Sequence, residues 1–180
     1  MLRVHVWRTP VAGYVPRVDD LTKTFNALVG LLEYSMFVVT ARAGEEPLGC
    51  LVGFATQTSI RPPRFLVCLS RKNHTHRRGR DADALGVHWV PADAEDLAEL
   101  FGGETQDEVD KFAQVAWHEG PRGVPIVDRC ENWFVGRVLQ RLDLGDHEGF
   151  LLEPVAAHRG SDDSEFTFHR AKAIDPGHAP

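Results

Sequence analysis

Apolar and polar positions change period several times along the chain, and each change marks an element. Between Asp20 and Leu32 the apolar residues Leu21, Phe25, Leu28 and Leu32 recur at helical spacing, which predicts an amphipathic helix. Met36–Ala41 and Leu48–Ala55 are β-rich runs, and Arg42–Pro47, with Gly44, can turn one into the other as a hairpin. Thr56–Pro63 reads as a polar loop, because Pro62-Pro63 cannot donate to a ladder. Arg64–Ser70 is a third strand, whose apolar run Phe65–Leu69 points to burial on both faces, and Leu85–Val90 is a fourth. Between them Ser70–Arg80 is polar and basic. Asp93 is placed to cap a helix with Leu97, Leu100 and Phe101 on one face. Thr105 and Glu108 have the spacing of a capping box for another helix, where Val109, Phe112, Ala113 and Ala116 form the stripe. Glu119–Pro125 is a Gly/Pro loop. Asn132–Leu144 is a long strand, Gly145–Gly149 its tight turn and Phe150–Ala157 its return, with Pro154 requiring an edge or a bend. Phe166–Arg170 closes the β set.

Residues 1–19 carry Pro10, Gly13 and Pro16 and read as an irregular arm with a short strand at Arg3–Trp7. Residues 20–172 form one domain, and 173–180 a tail expected to fray. Hairpin connections with few short helices predict a mostly antiparallel β barrel or sandwich. No Gly-x-Gly-x-x-Gly follows a strand, which argues against a Rossmann dinucleotide fold.

Composition narrows the function classes. A formal net charge of -6 argues against a non-specific nucleic-acid binder, which carries a basic excess. No apolar run reaches the roughly 20 residues of a membrane helix. Met1–Trp7 has no signal-peptide core, so the expected compartment is the cytoplasm. Cys50, Cys68 and Cys130 are odd in number and widely spaced, which fits reduced thiols rather than a disulfide framework.

The window Pro47–Thr75 carries the candidate chemistry. A strand feeds a loop of small and hydroxyl residues, and a second strand leads to a basic Asn/Thr loop. Gly49 and Gly53 would let a flat ring approach the backbone. Thr56, Gln57, Thr58 and Ser59 offer donors to a polyol or phosphate. Arg71, Lys72, Arg77, Arg78 and Arg80 fall between residues 70 and 80 with no acid among them. On composition alone this loop reads first as a solvated basic face. His74 and His76 read as surface histidines, since nothing nearby completes a metal site. Trp89, Trp117 and Trp133 are assigned to the core or a subunit interface, although each could stack on a ring. No Gly-x-Ser-x-Gly supports a hydrolase.

The same window resembles the flavin reductase-like, FMN-binding split-barrel family. That family shows a strand ending in Val-Thr, then Gly-x-Thr-x-Ser-Ser-Phe-x-Ser-x-Ser-x-x-Pro-Pro, a hydrophobic strand and a Lys-x-Ser-x-Ser/Thr loop. Here Val39-Thr40 ends the first strand, Gly49 opens the motif, and Ser59 and Pro62-Pro63 close it. Phe65–Leu69 is the next strand, and Arg71, Asn73 and Thr75 fill the loop. The likeness continues through Lys111-Phe112, Trp117, Gly123-Val124-Pro125-Ile126 and Gly145-Asp146-His147, so it covers about residues 20–172. Leu51, Gly53 and Phe54 stand where the family has Thr and two Ser, and Gln57 and Asn73 replace serines.

The resemblance implies an antiparallel split β-barrel with a few short helices. It implies an NAD(P)H-dependent flavin reductase that binds FMN, with FAD as the alternative and NADH or NADPH as co-substrate. Carried over residue by residue, the cofactor-binding set is Leu51, Val52, Gly53, Phe54, Gln57, Thr58, Ser59, Cys68, Leu69, Ser70, Arg71, Asn73 and Thr75. His147 is the catalytic residue, and no metal is expected. It further implies a homodimer with the flavin near the subunit interface, and a partner monooxygenase that uses the reduced flavin. The rival expectation is a flavin-binding or related cofactor-binding protein without turnover, and a third is an interaction domain without cofactor.

Overall fold

The computed structural model describes residues 18–162 and 164–177. The expected Arg3–Trp7 strand, most of the arm and the end of the tail lie outside the described residues. The chain divides into two units, Met1–Leu32 and Glu33–Pro180. In the first, α1 spans Val18–Val29, with Asp19 and Asp20 in the first turn where the helix dipole favours acids. It stops at Gly30, short of the predicted Leu32.

The second unit is mostly antiparallel β with few short helices. Its strands are β1 (Phe37–Ala43), β2 (Glu46–Val52), β3 (Ala55–Ser59), β4 (Arg64–Ser70), β5 (Ala84–Trp89), β6 (Trp117–Glu119), β7 (Pro125–Val127), β8 (Trp133–Asp143) and β9 (His147–His158). The main sheet runs β2-β1-β5-β8-β9-β4-β3, and β6 pairs with β7 separately. β2 and β3 are the edges, so the ladder does not close into a barrel. Both edges nevertheless wrap one core. Val39, Leu48, Cys50, Val67, Leu85, Phe150 and Leu152, from five strands, pack together, with Ala55 of β3 against them. The Cys68 amide donates to the Phe54 carbonyl at 2.9 Å, drawing the end of β2 onto β4.

The β1–β2 hairpin follows the predicted pattern, with Gly44 at φ +60 in its turn. Three expectations about loops and strands need correction, beginning with the segment after β2. Thr56–Pro63 is not wholly a loop: β3 pairs with β4 from Ala55↔Val67 to Ser59↔Arg64, and the prolines fall in the turn beyond it. Ser70–Arg80 is not simply a polar stretch. It contains α2 (His74–Gly79), capped by Asn73, whose Oδ1 accepts from the Thr75 amide at 2.8 Å. Phe166–Arg170 is not a strand. Isolated bridges at Ser35↔Thr167 and Pro91↔Glu165 lead into α4 (Phe168–Ala171).

The two other predicted helices fared differently. α3 (Glu95–Gly103) forms and buries Leu97 and Phe101, but its N-cap is Ala94 and Asp93 makes no side-chain cap. Residues 105–116 do not form a helix. Thr105 Oγ1 takes the Asp107 amide at 3.3 Å, and Asp110 Oδ1 takes the Phe112 and Ala113 amides at 3.1 Å each. These short side-chain bonds compete with helical ones and favour successive turns. Within them Lys111 is buried and its Nζ donates to the Phe101 carbonyl at 3.1 Å, a cation at the C-terminus of α3.

The long hairpin β8–β9 is as expected, except that β9 begins at His147 rather than Phe150. Pro154 lies beyond the last β4 partner of β9, Leu152↔Phe65, and beside a register shift on β8. It therefore occupies both the edge and the bend its missing N–H requires. Trp89 packs edge-on to Phe37 and Trp117 edge-on to Phe112, both as packing residues.

Candidate functional site

The ends of β2 and β4, the start of β9 and the cap of α2 meet around a cavity of about 210 Å³. Its walls include Leu51, Val52, Gly53, Phe54, Cys68, Leu69, Ser70, Asn73 and His147. Nine residues separately proposed from the sequence thus converge on one cavity from distant parts of the chain. Convergence follows from pairing. Ser70 on β4 lies opposite His147 on β9, and the Arg71 amide donates to the Asp146 carbonyl at 3.0 Å.

Tyr34, Met36, Cys50 and Phe168 also line the cavity and were not foreseen. Tyr34 and Phe168 stack at 4.5 Å between centroids, across more than half the chain, a contact with no local signal. A Cβ on Gly53 would lie 2.9 Å from Tyr34 Cε2 and 3.2 Å from Met36 Sδ, so the missing side chain makes room for these two. Gly49 serves packing in the same way: a Cβ there would meet Phe101 Cε1 at 2.6 Å.

Of the remaining predicted residues, Gln57, Thr58 and Ser59 run away from the cavity along β3. Gln57 instead borders a second cavity of about 500 Å³, walled by Phe65, Trp89, Trp133 and Phe134. Arg71 turns toward the β8–β9 connection, where its Nη2 lies 3.1 Å from Asp143 and its Nε donates to the Gly145 carbonyl at 3.0 Å. Thr75 is buried, and by geometry its hydroxyl has no hydrogen-bond partner among the described residues. The basic stretch is not a field of unpaired cations. Arg77 pairs with Asp107 and Arg78 with Glu46, acids brought from elsewhere in the chain. His74 and then Arg77 hold the Asp107 carboxyl down at about 2.

His147 Nδ1 lies 2.7 Å from Asp146 Oδ1, and its ring sits 5.1 Å from that of Phe54. The hydrogen bond from His147, with its charge, holds Asp146 below the usual carboxylate range. With Nδ1–H donating to Asp146, Nε2 is an acceptor when the ring is neutral and a donor when it is protonated. His76 corrects an expectation: it is buried, not a surface histidine, and its Nε2 meets Glu148 Oε2 at 2.7 Å. His74 meets Asp107 and Glu46 instead, because residues two apart on a helix point in different directions.

The sequence model of the flavin reductase like domain matches residues 29–175. The chain belongs to this family. It is 30% identical over 157 residues to the FMN reductase (NADH) RutF of Bradyrhizobium diazoefficiens, covering 86% of this chain and 87% of that protein. Among solved structures, the NADH:FAD oxidoreductase SgcE6 of Streptomyces globisporus C-1027 is 25% identical with a TM-score of 0.75, covering 87% and 92%. An FMN-binding protein from Thermus thermophilus is 26% identical with a TM-score of 0.67, covering 87% and 79%. Among the described residues no helix is long and apolar enough to cross a membrane, and no group of His, Cys, Asp or Glu is arranged to hold a metal ion.

Proposed function

We propose that this flavin reductase family member is an NAD(P)H-dependent flavin reductase that binds FMN in the cavity beside His147. The observation that carries the reading is the convergence of residues 51–54, 68–70, 73 and 147 on one cavity. The donor set suits a flavin: Leu51, Val52, Phe54 and Leu69 supply apolar wall for a flat ring, while Ser70, Asn73 and His147 supply polar contacts on one side. At about 210 Å³ the cavity is smaller than the roughly 300–1,000 Å³ typical of whole-ligand pockets. It would enclose part of a flavin, with the rest crossing its open mouth. Phe54 is 52% exposed there.

A bound flavin would accept a hydride from a reduced nicotinamide, chemistry that belongs to the cofactors. The protein's part is to bind, orient and exclude. Leu51, Phe54 and Leu69 shield the ring from water. Asn73 and Ser70 would offer hydrogen bonds to its polar groups. The Asp146–His147 bond fixes the imidazole orientation, so that its free nitrogen can engage a polar edge of ring or nicotinamide. Gln57, Thr58, Ser59, Arg71 and Thr75 belong to this proposal only through a rearrangement on binding. A homodimer closing over the cavity mouth, a partner monooxygenase supplied with reduced flavin, and a cytoplasmic setting for the three free cysteines complete the reading.

A second reading, flavin binding without turnover, is favoured by one observation: Leu51, Gly53 and Phe54 bring no hydroxyl to the cavity wall. The visible spectrum of the purified protein with FMN or FAD, followed by NADH and NADPH oxidation, tests both. Oxidation that saturates with FMN is the expected result. A flavin spectrum without oxidation selects the second reading, and no flavin binding overturns both.

A further inference from the structure

His76 Nε2 and Glu148 Oε2 lie 2.7 Å apart, with side chains 5% and 10% exposed. Such a pair is a poor device for stability, since desolvation offsets its attraction and apolar residues of similar volume often serve as well. Among the described residues His76 Nδ1 is also buried without a hydrogen-bond partner, which adds a further penalty. The location supplies a reason for keeping the pair. Glu148 follows His147 on β9, and strand alternation sends the two side chains to opposite faces. His147 lines the cavity, while Glu148 reaches α2. His76 lies three residues after Asn73, which caps α2 and lines the same cavity. The far end of α2 is held by packing: a Cβ on Gly79 would come within 3.0 Å of Leu48 and 3.1 Å of Ala41. The cavity end is joined to β9 by the His76–Glu148 bond, with Phe150 edge-on to the imidazole at 6.3 Å.

We propose that His76 and Glu148 are positioning residues, which hold Asn73 and His147 at the separation the cavity's ligand requires. The proposal rests on the reductase reading. It predicts a separation of stability from function. The double variant His76→Leu/Glu148→Leu should melt at or above the wild-type temperature. Its kcat/KM for NAD(P)H should nevertheless fall about 10-fold or more, as small misplacements of binding groups do. FMN binding, followed by flavin fluorescence, should weaken. In the flavin-free protein the backbone amide resonances of Asn73 and His147 should shift. His76→Gln, which can still donate to Glu148, should keep most of the activity that His76→Leu loses.

A folded double variant with wild-type kcat/KM and FMN affinity overturns the proposal. If the double variant does not fold, His76→Gln and His76→Leu decide, and equal kcat/KM in the two overturns it. A wild-type protein that neither binds flavin nor oxidises NAD(P)H removes the reductase reading instead, and leaves the amide shifts as the measure of the pair.

Discussion

His147→Ala should lower kcat/KM for NAD(P)H about 10-fold or more, the effect of losing roughly 1.4 kcal/mol of transition-state stabilisation. FMN affinity should fall less, because Phe54, Leu69 and Asn73 remain in the cavity wall. Steady-state kinetics at saturating FMN measure this, and an unchanged kcat/KM would make His147 a bystander. A second expectation concerns His88, which is fully buried. Its Nδ1 donates to the Val38 carbonyl at 3.0 Å and its Nε2 accepts from the Val127 amide at 3.3 Å. Burial pushes its pKa down to about 4. The unfolded chain binds that proton near 6.5. Between pH 6.5 and 4 the unfolded state therefore carries more protons, and stability falls as pH drops. Above pH 6.5 the contribution is complete; its full loss amounts to roughly 3 kcal/mol. Urea unfolding at pH 7 and pH 4.5 should show a larger loss in the wild type than in His88→Gln. Equal losses would mean that another group carries the acid sensitivity.

The elements show where local pattern was sufficient and where it was not. β1, β2, β4, β5, β8 and β9 were legible because their apolar runs meet the core. β3 was not, because its polar residues Thr56, Gln57 and Thr58 form an exposed edge strand, whose pairing is carried by backbone bonds. The 105–116 segment had helical periodicity, yet the local bonds of Thr105 and Asp110 directed it into turns. Gly49 gives a prediction at this scale. Gly49→Ala would press a methyl into Phe101 on α3 and should cost about 1–3 kcal/mol, as overpacked cores do. The denaturation midpoint reads it, and a variant as stable as wild type would show that α3 can shift without penalty.

For the whole molecule, saturating FMN should raise the melting temperature, because a ligand bound by the folded state alone adds about 2.7 kcal/mol at 100 times its Kd. Thermal melts with FMN, FAD and riboflavin measure this. No shift with any of them would remove the basis of the flavin reading. The cavity itself is a property of this scale. Ser70 and His147 are far apart in sequence and become cross-strand partners only when β4 and β9 pair.

By itself the sequence determined the kind of protein. Apolar runs joined by hairpin connections pointed to an antiparallel sheet, and the order of motifs from Val39 to His147 resembled the family and marked segments that line the cavity. These are local or ordered properties, which one chain carries in its residue types and spacings. Tertiary structure decided which of those residues meet. It set Leu51–Phe54, Cys68–Ser70, Asn73 and His147 around one cavity and sent Gln57, Thr58 and Ser59 along an edge. It also matched the basic stretch with Glu46, Asp107 and Asp143 and buried His76 against Glu148. Charge pairing and burial depend on partners distant in sequence, so neither can be read from a residue's neighbours.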